Sequence, residues 1–372
     1  MSLWGCFSRV QAQPPNVLFA FFDPKIERQG YIDATGRARI APRFKKAGRF
    51  SEGLAQVTDE LGESAFIDLT GAIVFRTTGR FRDDSDSDQG ELFTKGRVIV
   101  YDDSDSMSRG VMLDRSGMVV RRFDDWTRGT FENGLTAVYE RANERWGYVD
   151  IDGRQVIAPT FLKAEPFSEG LAAVERLVGR DGHEQGYIDQ QGQWVMACEP
   201  WRGGPCGPFS RGRARVRDGY IDKQGRRVIR EDDLKEKFLS GRPGDLDLSD
   251  FAGDLALVKI CPEGGDSQLA YIDIAGNDVF SARFKDAAPF SDGLAAVYAP
   301  DKGWGYINGR GEAVIAPQFR TAGPFSDGVA RVEGRRVERN DSGFSDVQVG
   351  IIDRRGRWLR RWWGEQPPPS NI

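Results

Sequence analysis

The sequence predicts an all-β fold, a tandem array of about eight to nine β-meander repeats of roughly forty residues each. Three recurrences carry this reading. Nine times a short apolar run ends in Asp or Asn with Gly three residues later, from Tyr31-Ile32-Asp33…Gly36 through Tyr148-Val149-Asp150…Gly153 to Ile351-Ile352-Asp353…Gly356. A block F-S-E-G-L-A-x-V precedes most of these turns, as at Phe50–Val57, Phe131–Val138, Phe167–Val174, Phe290–Val297 and Phe325–Val332. A third block, Ile40-Ala41-Pro42, Ile157-Ala158-Pro159 and Ile315-Ala316-Pro317, follows the turns, with a phenylalanine two residues beyond.

Each piece has a mechanical role. L-A-x-V and G-Y-I-D are alternating apolar runs, too short for helices and bounded by turn residues, so they read as strands. Asp followed three residues later by Gly suits a tight turn, in which the carboxylate accepts backbone N–H groups and glycine takes the positive φ. Proline after the third run marks a strand end, because it cannot donate to a ladder. The phenylalanines recur once per unit, as plugs between neighbours would. Three strands make one unit, with a short fourth expected near Phe44–Ala47 and its equivalents.

The composite pattern F-S-E-G-L-A-x-V…W-G-Y-I-D-x-x-G-x-x-V-I-x-P resembles the bacterial WG-repeat (KWG) family over residues 17–362. The eponymous pair survives at Trp146-Gly147 and Trp304-Gly305, whereas Gln29, Gln185 and Asp218 stand at the tryptophan position elsewhere. The resemblance implies an all-β array and no common enzymatic activity. The layout is propeller-like, with Trp362-Trp363 expected to complete the first unit as an added outer strand; an open β-solenoid is the alternative. The organisation expected is an N-terminal extension at 1–16, the array at 17–363 and a disordered Pro-rich tail at 364–372.

Composition narrows the function classes. Lys+Arg at 52 against Asp+Glu at 56 gives a net charge of −4, with no general pull toward nucleic acid or an anionic membrane. No run approaches the ~20 apolar residues that span a bilayer. Leu3-Trp4-Gly5-Cys6 echoes a lipoprotein cleavage box, but no basic residue precedes it. A cytoplasmic location is therefore expected; export or lipid anchoring is the alternative if the true start lies upstream. The cysteines Cys6, Cys198, Cys206 and Cys261 read as scattered reduced thiols, although Cys198 and Cys206 flank one irregular loop and would pair in an oxidising compartment.

The chain holds a single histidine, His183, in a hydrophilic stretch that reads as a solvated loop. That nearly removes triad and histidine-ligated metal chemistry, since each needs a well-placed imidazole. The turn acids recur with the unit and read as turn formers rather than a catalytic pair. Asp84, Asp86 and Asp88 imitate the start of a calcium loop, yet Gln89 replaces its glycine and Lys95 its closing Glu. A hydrated acidic rim is the simpler reading. The cationic–aromatic run Arg354–Trp363 reads as a terminal strand that caps the array.

Units depart from the pattern at Phe81–Thr94, at Arg230–Asp250 (a short helix over Leu234–Leu239, then an acidic loop), at Arg335–Val347 and at Cys198–Gly207. In repeat arrays such departures carry recognition. Trp201, Arg202, Trp126 and Arg128 lie in inter-unit segments and are the candidate partner-binding anchors. The expected protein is a non-enzymatic scaffold, without cofactor, that binds a protein partner through inter-strand loops. Glycan binding is the second reading, and a propeller-type hydrolase using a carboxylate pair the third.

Overall fold

The computed structural model describes residues 17–77, 91–102, 109–123, 127, 131–180, 182–199, 205–338 and 345–364. The strands assemble into nine small antiparallel sheets of three or four strands, each a meander in chain order. Sheet one comprises Leu18–Asp23, Arg28–Asp33 and Ala38–Phe44; sheet nine ends with Ser345–Asp353 and Trp358–Gly364. The expected short fourth strand exists in sheets two, five, eight and nine, where Lys46–Ala47, Lys163–Ala164, Asp286–Ala287 and Thr321–Ala322 open the sheet rather than close the preceding one.

Sheets bury their apolar faces against each other in sequence. Tyr31, Ile40 and Phe44 of sheet one join Val57 and Ile67 of sheet two in one core; Phe66 of sheet two joins Val98 and Val111 of sheet three in the next. The pattern continues around the chain to Tyr306 and Phe319 of sheet eight against Ala330 and Ile352 of sheet nine. A further core unites Phe21 and Ile32 of sheet one with Val349, Ile351 and Trp362 of sheet nine. The array is therefore a closed, propeller-like ring of nine sheets.

Closure differs from the added strand expected of Trp362-Trp363. Among the described residues the strand Trp358–Gly364 pairs only with Ser345–Asp353, inside its own sheet. Trp362 is buried against the first sheet, and the Arg360 guanidinium lies 4.9 Å from the centre of the Phe21 ring. The ring shuts by face-to-face packing, because the apolar faces of the end sheets are the last left without neighbours.

The repeated tyrosine explains how neighbours are held. Tyr31, Tyr148, Tyr187, Tyr220, Tyr271 and Tyr306 are almost wholly buried. Each meets the ring of the F-S-x-G phenylalanine in the following sheet, with centroids 4.7–5.1 Å apart. Each hydroxyl also donates to a carbonyl of that sheet at 2.6–2.8 Å, as from Tyr148 to Glu165. A buried phenol needs such an acceptor, and the tilted ring pair adds dispersion and quadrupole attraction.

The glycine of W-G has a separate cause. A Cβ on Gly147 would lie 2.5 Å from the Ile157 carbonyl oxygen, where the bulged I-A-P strand crosses. The bulge and the glycine are one device, which is why they recur together. In the Asp-x-x-Gly turns, Asp33 Oδ1 accepts from the Thr35 hydroxyl and from the N–H groups of Thr35 and Arg37, while Gly36 has φ of 83°.

One segment departs from expectation. The helix spans Glu231–Leu239, and the acidic stretch after it forms the strand Gly244–Leu248 rather than a loop. Its alternation explains the difference: Leu246 and Leu248 point into the core, while Asp245 and Asp247 face outward.

Two outcomes follow. Tyr148→Phe leaves the Glu165 carbonyl without its donor and should cost about 1–3 kcal/mol, whereas Phe167→Ala should cost about 3–5 kcal/mol; urea midpoints measure both. The hydroxyls of Thr35, Thr70 and Ser116 lead the contacts that hold the carboxyls of Asp33, Asp68 and Asp114 below their usual range. A depressed folded-state pKa means this stabilisation is present above the unfolded value, roughly pH 4, and is lost as pH falls through the folded values. Urea midpoints should therefore drop between neutral pH and pH ~3, and Asp68→Asn should flatten that dependence.

Candidate functional site

Meander topology sorts the connections onto two rims. Strand direction alternates, so the F-S-x-G turns and the Asp-x-x-Gly turns fall on one rim. The hairpins after the L-A-x-V strands and the links between sheets leave from the other. Turns on the first rim keep the same length throughout. Every departure noted in the sequence leaves from strand ends on the second rim, including the helix Glu231–Leu239.

The regular rim is occupied by contacts between sheets. Glu52 accepts the N–H groups of Lys95 and Gly96 at 2.6 and 2.8 Å, Ser51 donates to Phe93, and Arg115 approaches Glu52 at 3.5 Å. Three sheets later Glu169 accepts from Arg211 and Gly212, Ser168 donates to Phe209, and Lys223 pairs with Glu169. Three sheets beyond, Asp292 accepts from Gly328, Ser291 donates to Phe325, and Arg354 pairs with Asp292. The nine sheets thus form three successive triplets. Each triplet carries the same clasp between its second and third members, with the acid on one and the base on the next.

Between sheets five and six lies a groove of about 960 Å³. Glu175, Glu184 and Glu199 line it from sheet five and its outgoing link, Arg227 and Arg230 from sheet six. His183 is not in a loop: it sits on the strand Gly182–Asp189, with Nδ1 2.8 Å from Glu175 Oε1. Burial would raise the Glu175 carboxyl, but Lys163 at 2.9 Å and His183 hold it below the usual range.

The wall also carries a disulfide, Cys198–Cys206, in place of the reduced thiols expected. Its cause lies in the unit pattern. Where sheets one, four and eight end in a buried Phe44, Phe161 or Phe319, sheet five lacks that phenylalanine, and Cys206 is buried in the core between sheets five and six instead. The covalent staple does what the aromatic plug does elsewhere. No periodic signal announces this pair; only the missing I-A-P-x-F at Cys198–Gly207 could have drawn attention to it.

The buried acids Glu175, Asp222, Glu231 and Glu333 each face a cation, Lys163, Arg226, Lys235 and Arg320 respectively. Among the described residues no His/Cys/Asp/Glu cluster could hold a metal. The calcium candidates Asp84, Asp86 and Asp88 lie outside the described residues, as do Trp201, Arg202, Trp126 and Arg128.

The WG containing repeat family matches residues 30–60, 146–176, 270–298 and 304–333. The chain is a WG-repeat protein. The four matches begin in sheets one, four, seven and eight. Among solved structures the chain resembles one described as a eukaryotic initiation factor, at 10% identity and a TM-score of 0.61, covering 94% of this chain and 96% of that one. At that identity the likeness concerns the fold alone. BamB from Moraxella catarrhalis aligns at 12% identity over 83% of this WG-repeat chain and 80% of its own, with a TM-score of 0.32. No curated protein sequence matches the WG-repeat chain. Among its described residues no helix is long and apolar enough to cross a membrane.

The disulfide closes a short loop, so reduction should cost about 2–3 kcal/mol by the chain-entropy estimate. Urea unfolding with and without dithiothreitol should reveal the loss. The double variant Cys198→Ser/Cys206→Ser should unfold like the reduced protein and ignore the reductant.

Proposed function

We propose that this WG-repeat protein is a non-enzymatic interaction scaffold that presents its variable rim to a protein partner. One observation carries the reading: among the described residues the regular rim keeps turns of constant length spent on contacts between sheets, while differences in length fall on the other rim. A rigid frame with variation gathered on one side is the arrangement of a recognition surface. The pairing of each buried acid with a cation favours this over a hydrolase with two converging carboxylates.

A glycan platform calls for tryptophan faces open to solvent. Here Trp146 and Trp304 are half-buried against Tyr139 and Tyr298, Trp194 lies beneath the Arg176 guanidinium, and Trp358 meets Phe319. That packing favours the protein partner. The disulfide supports the exported alternative over the cytoplasm, since such bonds persist in oxidising compartments.

Affinity capture from the native lysate, read by mass spectrometry, tests the reading. A specific protein should be retained by the wild type and by Arg310→Glu on the regular rim, and lost from Trp201→Ala/Arg202→Ala with folding intact. Retention by all three, or loss only from Arg310→Glu, would place recognition elsewhere.

A further inference from the structure

We propose that the groove between sheets five and six takes an extended peptide segment of the partner, one in which basic and acidic side chains alternate. The inference rests on the scaffold reading and names what the scaffold would grasp.

The two walls of the groove differ in sign. Sheet five and its link contribute Glu184 and Glu199; sheet six contributes Arg227 and Arg230. The floor between them includes the apolar Val216 and Ile221. At about 960 Å³ the space accommodates a few residues of chain.

In an extended segment successive side chains point to opposite sides. A strand lying along the floor would send one set toward the glutamates and the other toward the arginines. Only an alternating sequence satisfies both walls; a segment with its cations and anions in separate blocks sets like charge against like over half its length. The groove charges already have partners: Arg176 holds Glu184 at 2.7 and 3.0 Å, whereas the other three contacts are loose. Arg227 lies 3.4 Å from Asp218, Arg230 4.0 Å from Asp232, and Glu199 3.6 Å from Arg217. All six side chains are well exposed, and pairs of that kind are exchanged at little cost. The Cys198–Cys206 bond anchors the stretch that carries Glu199, which lowers the ordering cost on binding.

Fluorescence anisotropy with two labelled octapeptides of identical composition tests this. One alternates Lys and Glu; the other has its lysines first and its glutamates last. The alternating peptide should bind at least about fivefold more tightly, an advantage that shrinks as salt rises. Arg227→Glu/Arg230→Glu should erase the preference, and Arg310→Glu on the far rim should leave it intact. Glu199→Lys gives the same test from the opposite wall, with thermal melts confirming that each variant is folded. Equal binding of the two peptides, no binding of either, or an undiminished preference in the arginine variant overturns the proposal. Such a result alongside partner loss from Trp201→Ala/Arg202→Ala would leave the scaffold reading standing.

Discussion

The tilted contact between a buried tyrosine and the next sheet's phenylalanine, with the tyrosine hydroxyl tied to that sheet's backbone, is the interaction on which the ring depends. Each small sheet has apolar faces that must be buried against another element, here the neighbouring sheets. Six sheets solve this with the same tyrosine, and sheet two uses Phe66 against Phe93 at 5.3 Å. The hydroxyl adds direction to what would otherwise be a greasy contact, because its donor must meet one particular carbonyl. Spacing and orientation between neighbours are thereby fixed, and the curvature that returns sheet nine to sheet one follows from repetition.

The two rims hold the stack in different ways. Ser51 and Glu52 and their equivalents secure the regular rim with hydrogen bonds to the next sheet's backbone. The opposite rim lacks this repeated clasp, and its links hold neighbours in place case by case: the Cys198–Cys206 bond joins sheets five and six, and the helix packs Leu234 and Phe238 into the core between sheets six and seven. The recurrence of the clasp at every third boundary gives the regular rim a period of three sheets.

Much of the fold was legible because each device repeats. The glycine of W-G, the I-A-P bulge and the Asp-x-x-Gly turn each answer a local steric or hydrogen-bonding need, and local needs leave periodic marks. What escaped was non-periodic. The Cys198–Cys206 bond arises from the absence of a phenylalanine. The strand Gly244–Leu248 hides behind its aspartates, and His183 acquires a partner only through cross-strand register. The groove was illegible for the same reason: its walls come from different sheets, and Glu199 and Arg227 share no motif. Mode of closure was also out of reach, since a strand pattern does not say whether end sheets exchange strands or simply touch.

That mode of closure makes one junction unlike the other eight. Eight neighbouring pairs are tethered by a covalent link, so either sheet finds the other at high effective concentration even when they part. The pair formed by Phe21 and Trp362 has no such tether, and its encounter bears the entropy of closing the whole loop of chain. The molecule is a clasped bracelet rather than a seamless hoop. Parting of the two faces at this junction would uncover a tryptophan and a phenylalanine together.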